Sequence, residues 1–133
     1  KRLVSVGTSK VTKGIDHIST EYYFNKNIKV VAEGGWAFPG NYPFRMAFWA
    51  VFERGAVEFN SMNLPLTVYE EGKEPIKPSL PAGDGYMREI QYFLNCVKEN
   101  KYPEIVTPKD ARESLRLVLS EIKSVETGKP VML

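Results

Sequence analysis

The spacing of the apolar residues changes part-way along the chain, and this change constrains the fold more than any other feature. Up to residue 70, apolar and polar residues alternate in short runs, which is typical of β-strands. From residue 84 onward, apolar residues recur at every third or fourth position, as on one face of an amphipathic helix. Between the two regions, residues 72–83 hold three prolines and two glycines and indicate a surface loop. The order therefore predicts strands first and helices last.

The strand region predicts about six strands before the loop. Their connections are too short for the crossover that parallel neighbours need, so antiparallel pairing is expected. Residues 25–27 supply a turn that joins the second and third strands into a hairpin. The predicted strands cover residues 3–6, 18–24, 28–36, 44–52, 56–60 and 66–70, with a last edge strand at 131–133.

The helix region predicts two helices. The first begins near Asp84 and ends before Pro103. The second has Thr107 as its N-cap, Pro108 at its first helical position and Gly128 just after its last turn. Together these elements predict an α+β fold, in which an open, mostly antiparallel sheet of about six strands has two C-terminal helices packed on one face.

Length and composition exclude several classes of protein. The 133 residues fit a single domain, residues 1–133. One cysteine and one histidine exclude an internal disulfide and a His/Cys zinc site, and a net charge of +2 is too small to argue for nucleic acid. No apolar run approaches the roughly 18 residues of a membrane span and no signal peptide opens the chain, so we expect a cytoplasmic protein without a membrane partner.

The predicted sheet has a second face that helices on one side cannot cover. This face mixes charged residues with large apolar ones, whereas an antiparallel sheet that faces water is normally polar on that side. An extended exposed apolar patch marks a contact with another surface. We therefore expect a homo-oligomer that associates through the open sheet. Its predicted contact residues are Tyr23, Val31, Trp49, Val51 and Tyr69.

The polar residues suggest binding rather than catalysis. No glycine-rich phosphate loop follows a strand, and no serine, histidine and aspartate stand in a triad-like order. Asp16 and His17 at the start of a strand fit two interpretations. They are either a turn aspartate beside a strand-edge histidine or, together with Lys13, the rim of a pocket for a sugar.

A second candidate group surrounds the Pro/Gly-rich residues 39–43. Trp36, Tyr42 and Arg45 would offer flat rings and a guanidinium to a polyol or its acid. Alternatively, Trp36 and Phe38 belong to the core, as most strand aromatics do. No catalytic or metal-binding residue is predicted. The candidate substrate-binding residues are Lys13, Asp16, His17, Trp36, Tyr42 and Arg45.

Three stretches occur in an order that resembles one known domain. Residues 33–44 place a Gly-Trp pair and two prolines at a strand end, and residues 55–59 form a glycine-led strand. The tail joins Pro103, the helix start Thr107-Pro108-x-Asp110-Ala111 and Gly128. From residue 3 to residue 133 the chain resembles the C-terminal domain of the Gfo/Idh/MocA oxidoreductases, the relatives of glucose–fructose oxidoreductase and inositol dehydrogenase.

The resemblance implies one half of a two-part enzyme. Members of this family join such a domain to an N-terminal nucleotide-binding domain that holds NAD or NADP, and they act on sugars, inositols or related polyols by hydride transfer. The resemblance also implies oligomer contacts through the open sheet and a substrate-side position for Trp36 and residues 39–45. The family's glycine-rich fingerprint, catalytic lysine segment and Asp…His helix have no counterpart here. The chain alone is therefore expected to bind no NAD or NADP and not to be catalytic.

Two other functions stay open at this point. The chain could be a free-standing ligand-binding or assembly module without enzyme activity, built on the same architecture. It could also be a small enzyme with its own pocket around Asp16 and His17. The sequence starts at Lys1, without a methionine and directly inside an apolar stretch, so a processed or excised piece of a longer protein is expected.

Overall fold

The computed structural model describes residues 1–25, 28–81 and 83–133. These residues form two compact units, one made of Lys1–Gly40 with Cys96–Leu133 and the other of Asn41–Asn95. The elements follow in the order β1 Arg2–Thr8, β2 His17–Tyr23, β3 Lys29–Gly35, β4 Ala47–Phe52, β5 Gly55–Asn60, β6 Leu64–Glu70, α1 Gly85–Lys98, α2 Pro108–Thr127 and β7 Val131–Met132. Every strand pair in the described residues is antiparallel, which confirms the α+β class with open antiparallel sheets.

The strands divide between two sheets, one in each unit. The first sheet has the order β3-β2-β1-β7, and the second has the order β4-β5-β6. Each strand lies close to a predicted segment. Alternation marked the segment of β2, because it reports the two faces of a strand, whereas β4 lies within the nearly all-apolar run 44–52. Lys26 and Asn27 of the predicted hairpin turn, and Ala82 of the predicted loop, lie outside the described residues.

One face of the first sheet packs against α2. The register puts Leu3 opposite Tyr22 and Ser5 opposite Thr20, so these four side chains share that face. Leu3 and Thr20 are fully buried there. The Tyr22 hydroxyl donates a hydrogen bond to the Glu121 carboxylate on the helix. The core of this unit therefore lies between β1, β2 and α2.

Ser124 of α2 links the helix to β1 and to the turn that follows the helix. Its fully buried hydroxyl accepts a hydrogen bond from the Ser5 N–H at 3.0 Å and donates one to the Lys129 carbonyl at 2.8 Å. β7 is two residues long and pairs only with Arg2 and Leu3 of β1. Ser124 therefore provides the hydrogen-bond partner of β1 beyond the end of that short strand.

Local signals fix both ends of α2, as predicted. The Thr107 hydroxyl accepts from the Asp110 N–H at 3.2 Å, and the Asp110 carboxylate accepts from the Thr107 N–H at 2.9 Å, which makes a capping box. Pro108 follows at the start of the helix. Gly128 ends it in the left-handed conformation, with φ 64° and its N–H donating to the Ser124 carbonyl at 2.9 Å.

The second unit contains the three-stranded sheet and most of α1. Phe48 lies opposite Phe59, with ring centroids 6.1 Å apart. A backbone bridge between Val68 and Ile76 adds a further segment beside β6. The Asp84 carboxylate accepts a hydrogen bond from the Met87 N–H at 2.8 Å, and α1 begins directly after Asp84, which confirms the predicted start.

We expect the Ser124→Ala substitution to lower the free energy of unfolding by about 1–3 kcal/mol, because it leaves a buried backbone N–H without its acceptor. Urea unfolding followed by far-UV circular dichroism measures this change.

Ser120→Ala is the matched control on the same helix. The Ser120 hydroxyl donates to the Arg116 carbonyl of its own helix, which is an exposed local bond. This substitution should change the free energy of unfolding by less than about 0.5 kcal/mol. Equal losses in the two variants would contradict the role assigned to Ser124.

Candidate functional site

Asp16 carries a buried carboxylate that organises the loop between β1 and β2. Only 1% of the residue is exposed. Oδ2 accepts hydrogen bonds from the N–H groups of Lys10 and Val11, both at 2.6 Å. Oδ1 accepts from the Thr12 N–H at 2.9 Å and from the Thr12 hydroxyl at 2.6 Å. Both carboxylate oxygens are thus engaged by the loop, as the interpretation of Asp16 as a turn aspartate requires.

These donors stabilise the ionised form of Asp16. The pKa of the carboxyl is lowered to about 2, first by the Thr12 hydroxyl and then by the Val11 N–H, against an opposing effect of desolvation. A carboxylate held in this way is a poor proton acceptor at neutral pH. Its chemical role is to hold the backbone of the loop rather than to act as a base.

The main chain of Asp16 joins three strands. Its N–H donates to the Thr8 carbonyl at the end of β1, at 2.8 Å. Its carbonyl accepts from the Trp36 N–H, just after β3, at 2.7 Å. The end of β1, the start of β2 and the end of β3 therefore meet at one residue.

His17 lies next to this junction on the face of the first sheet that is turned away from α2. Its Nε2 atom is 3.2 Å from a carboxylate oxygen of Glu33, and its side chain is 33% exposed. The Phe38 ring meets the imidazole edge-on, with centroids 6.1 Å apart and an interplanar angle of 76°. His17 therefore lies at the start of a central strand, with part of its imidazole exposed.

Gly35 lies directly opposite His17 in the β2–β3 register. A Cβ atom at this position would lie 2.8 Å from the Asp16 carbonyl oxygen and 2.6 Å from Cδ2 of His17. The first of these neighbours is backbone and cannot rotate away. A glycine is therefore required by close approach, whereas the preceding Gly34 has nothing within 4 Å of an added Cβ.

The structure places the six predicted binding residues in two groups. Lys13, Asp16, His17 and Trp36 belong to the first unit, and Tyr42 and Arg45 belong to the second. Trp36 is 86% exposed, which argues against the alternative that it is a core residue. In the second unit, Nη1 of Arg45 donates to the Tyr42 hydroxyl at 2.9 Å.

The residues predicted for oligomer contact also divide between the sheets. Tyr23 and Val31 lie on the face of the first sheet opposite to α2, where the Arg2 guanidinium sits 4.7 Å from the centre of the Tyr23 ring. Trp49, Val51 and Tyr69 share one face of the second sheet. Trp49 and Val51 are each 77% exposed. Their role in association stays a prediction.

Sequence reasoning missed Thr12, Glu33 and Gly35. Glu33 and Gly35 alternate along β3 on the same face as His17, so the strand period carried a signal for them once the register was known. Thr12 had no comparable signal, because its bond to Asp16 depends on the conformation of the loop.

Neither a metal-ion cluster nor a membrane-spanning helix occurs among the described residues. Within residues 1–25, 28–81 and 83–133, no three His, Cys, Asp or Glu side chains are grouped so that they could hold a metal ion. Neither helix in that part of the chain has the length and apolar character needed to cross a bilayer.

Residues 7–133 match the family model that is described as the C-terminal alpha/beta domain of the oxidoreductase family, named for Gfo, Idh and MocA. The chain belongs to the Gfo/Idh/MocA oxidoreductase family. This confirms the resemblance seen in residues 33–44, 55–59 and the C-terminal tail. No curated protein matches the chain in sequence.

Two solved structures share the fold of this Gfo/Idh/MocA domain. One is aldose-aldose oxidoreductase from Caulobacter crescentus in complex with glycerol, with 15% identity and a TM-score of 0.77. The other is a protein from Thermotoga maritima assigned as an oxidoreductase, with 16% identity and a TM-score of 0.77. Each likeness covers 99% of this chain but only 41% and 40% of the respective structures. The chain thus spans about two fifths of the length of these neighbours.

We expect Asp16→Asn to weaken the fold and to change its response to acid. The pKa of Asp16 is about 2 in the folded protein, against about 3.9 for an unfolded aspartate. Because the folded value is the lower one, ionised Asp16 stabilises the fold above about pH 4, and this contribution is lost as the pH falls through about 2. Thermal unfolding between pH 7 and pH 2 should show a steeper acid loss for the wild type than for the variant.

Glu53→Gln provides the control, since Glu53 is an exposed carboxylate in the turn between β4 and β5. Its unfolding temperature should follow that of the wild type at every pH. Parallel curves for the wild type and Asp16→Asn would show that Asp16 does not stabilise the fold through its charge.

Proposed function

We propose that this chain is the substrate-side domain of an NAD- or NADP-dependent oxidoreductase that acts on a sugar, an inositol or a related polyol by hydride transfer. The observation that carries the proposal is the family match across residues 7–133. The fold shared with an aldose-aldose oxidoreductase supports the same substrate class.

The exposed groups of the candidate site suit a polyhydroxylated substrate. The indole of Trp36 offers an open aromatic face for the C–H side of a sugar ring. The imidazole of His17 and the carboxylate of Glu33 can exchange hydrogen bonds with hydroxyl groups. Lys13 supplies a cation for a carbonyl or carboxylate oxygen in this first unit. Arg45 and the Tyr42 hydroxyl to which it donates form a separate candidate group in the second unit. Asp16 contributes through the loop that it holds.

The dinucleotide is proposed to bind an N-terminal domain and not this chain. A pyrophosphate cradle needs glycines in a turn between a strand and a helix. The adjacent glycines Gly34 and Gly35 are the last two residues of β3 instead. The space beside Gly35 is already occupied by atoms of Asp16 and His17. Gly34 and Gly35 therefore do not fit the pyrophosphate of a dinucleotide.

We further propose that the protein forms a homo-oligomer through its open sheet faces. The exposed Trp49 and Val51 on one face of the second sheet support this, because large apolar side chains are seldom left in water side by side. On the first sheet, Tyr23 and Val31 lie on the face turned away from α2 and are proposed as contact residues of that sheet.

We expect Trp36→Ala to raise the KM of the full-length protein for its sugar or polyol by about fivefold, because the variant loses a stacking surface worth about 1 kcal/mol. The KM for NADH or NADPH should not change. Initial rates with a panel of aldoses, inositols and sugar alcohols, followed by nicotinamide absorbance, test both statements.

The isolated chain of residues 1–133 is the control for the location of the coenzyme. Its titration into NADH or NADPH should leave the nicotinamide fluorescence unchanged. Tight binding by this chain, or no turnover of any compound in the panel by the full-length protein, would contradict the proposed function.

We expect Trp49→Lys to shift the full-length protein toward monomer, because it places a charge within the proposed apolar contact. Trp36→Lys is the matched control, since it puts the same charge at an equally exposed tryptophan outside that contact. Sedimentation velocity at micromolar concentration measures both. A wild type that sediments as a monomer would refute the proposed oligomer.

A further inference from the structure

Trp36 combines an exposed side chain with a fixed backbone. The residue is 86% exposed, yet its N–H donates to the Asp16 carbonyl at 2.7 Å. A binding side chain is most effective when its own main chain is already ordered, because little freedom is then lost when the ligand binds. This hydrogen bond therefore fixes the main chain from which the Trp36 indole extends.

Gly35 makes that hydrogen bond possible. A Cβ atom on residue 35 would lie 2.8 Å from the Asp16 carbonyl oxygen and 3.0 Å from Cα of His17. Both neighbours are backbone atoms, so a side chain here must push the end of β3 away from the start of β2. The oxygen that the Cβ atom would displace is the acceptor of the Trp36 N–H.

Asp16 fixes the other side of the same bond. Its N–H is held by the Thr8 carbonyl at 2.8 Å, and its carboxylate is held by the N–H groups of Lys10, Val11 and Thr12. The Trp36 N–H therefore donates to the carbonyl of a residue, Asp16, whose carboxylate and N–H are both hydrogen-bonded. His17, the next residue, starts β2 from this point.

We propose that Asp16 and Gly35 are positioning residues that together set the placement of His17 and Trp36 toward the substrate. Asp16 acts through the loop and through its main chain, and Gly35 acts by leaving room for the close approach of β3. This inference rests on the proposed function and deepens it, since it assigns Asp16 an indirect role in the site.

The experiment compares Gly35→Ala with Gly34→Ala in the full-length protein. Both changes add one methyl group to neighbouring residues of β3, but only position 35 is crowded. Gly35→Ala should speed amide hydrogen exchange at Trp36 by at least about tenfold and raise the substrate KM by about tenfold or more, with the coenzyme KM unchanged. Gly34→Ala should leave all three values as in the wild type.

Thr12→Val keeps the test decisive if Gly35→Ala does not fold. It removes the hydroxyl that donates to Oδ1 of Asp16 at 2.6 Å and accepts from the Gly14 N–H at 3.1 Å, but it keeps the three N–H donors to the carboxylate. A smaller rise in substrate KM, with an unchanged coenzyme KM, is expected. A substrate KM like that of the wild type would overturn the part of the inference that concerns Asp16.

The outcomes separate this inference from the proposed function. If the wild type turns over a sugar or polyol and Gly35→Ala behaves like Gly34→Ala in both exchange and KM, the positioning role is wrong and the function stands. If the wild type turns over no such compound, the proposed function fails. Exchange at Trp36 then still decides whether Gly35 and Asp16 hold this residue in place.

Discussion

The part of the first sheet that carries the candidate site depends on one buried carboxylate, that of Asp16. A charged group is costly to remove from water unless hydrogen bonds replace its hydration, and the Asp16 carboxylate receives four from three successive residues. The same bonds that offset desolvation also attach Lys10, Val11 and Thr12 of the loop to the start of β2. Through its amide and carbonyl, Asp16 also ties β1 to the chain just after β3. Folding therefore orders the backbone of the site before any ligand arrives.

The helix side of this unit is held by a different kind of contact. Leu3 supplies the buried apolar surface, while Ser5, Thr20 and Ser124 form a seam of buried hydroxyls in which the Ser5 and Thr20 oxygens lie 2.8 Å apart. The Ser5 and Thr20 hydroxyls join β1 to β2, while the Ser124 hydroxyl accepts from the Ser5 N–H and so connects β1 to α2. This last bond specifies the position of α2 more narrowly than apolar packing does, because it needs its partner at a defined distance. This arrangement agrees with the proposed function. One face of the first sheet packs against α2, whereas the proposed binding residues His17 and Trp36 lie at the start of β2 and just after the end of β3.

Local features could be predicted from the sequence, and features that depend on distant pairing could not. Thr107, Pro108 and Gly128 marked the ends of α2 correctly, since caps depend on neighbours only a few residues away. The apolar pattern located the strands, but it does not state which strands pair, so the division into two sheets was not foreseen. Asp16 and His17 were singled out, yet the role of Asp16 followed only from the loop geometry. The need for glycine at position 35 depends on the β2–β3 register, which fixes what lies opposite it.

The charged side chains on the open face of the first sheet have hydrogen-bond, ion-pair or ring partners on that same face. Glu21 accepts from the Tyr23 hydroxyl and pairs with Lys29 at 3.0 Å, while Arg2 rests on the Tyr23 ring. Ions that are already neutralised by neighbours lose less when water is stripped from them than solitary ions do. A partner surface could therefore dehydrate this face without supplying a counter-charge for each group, and complementary shape would matter more than complementary charge.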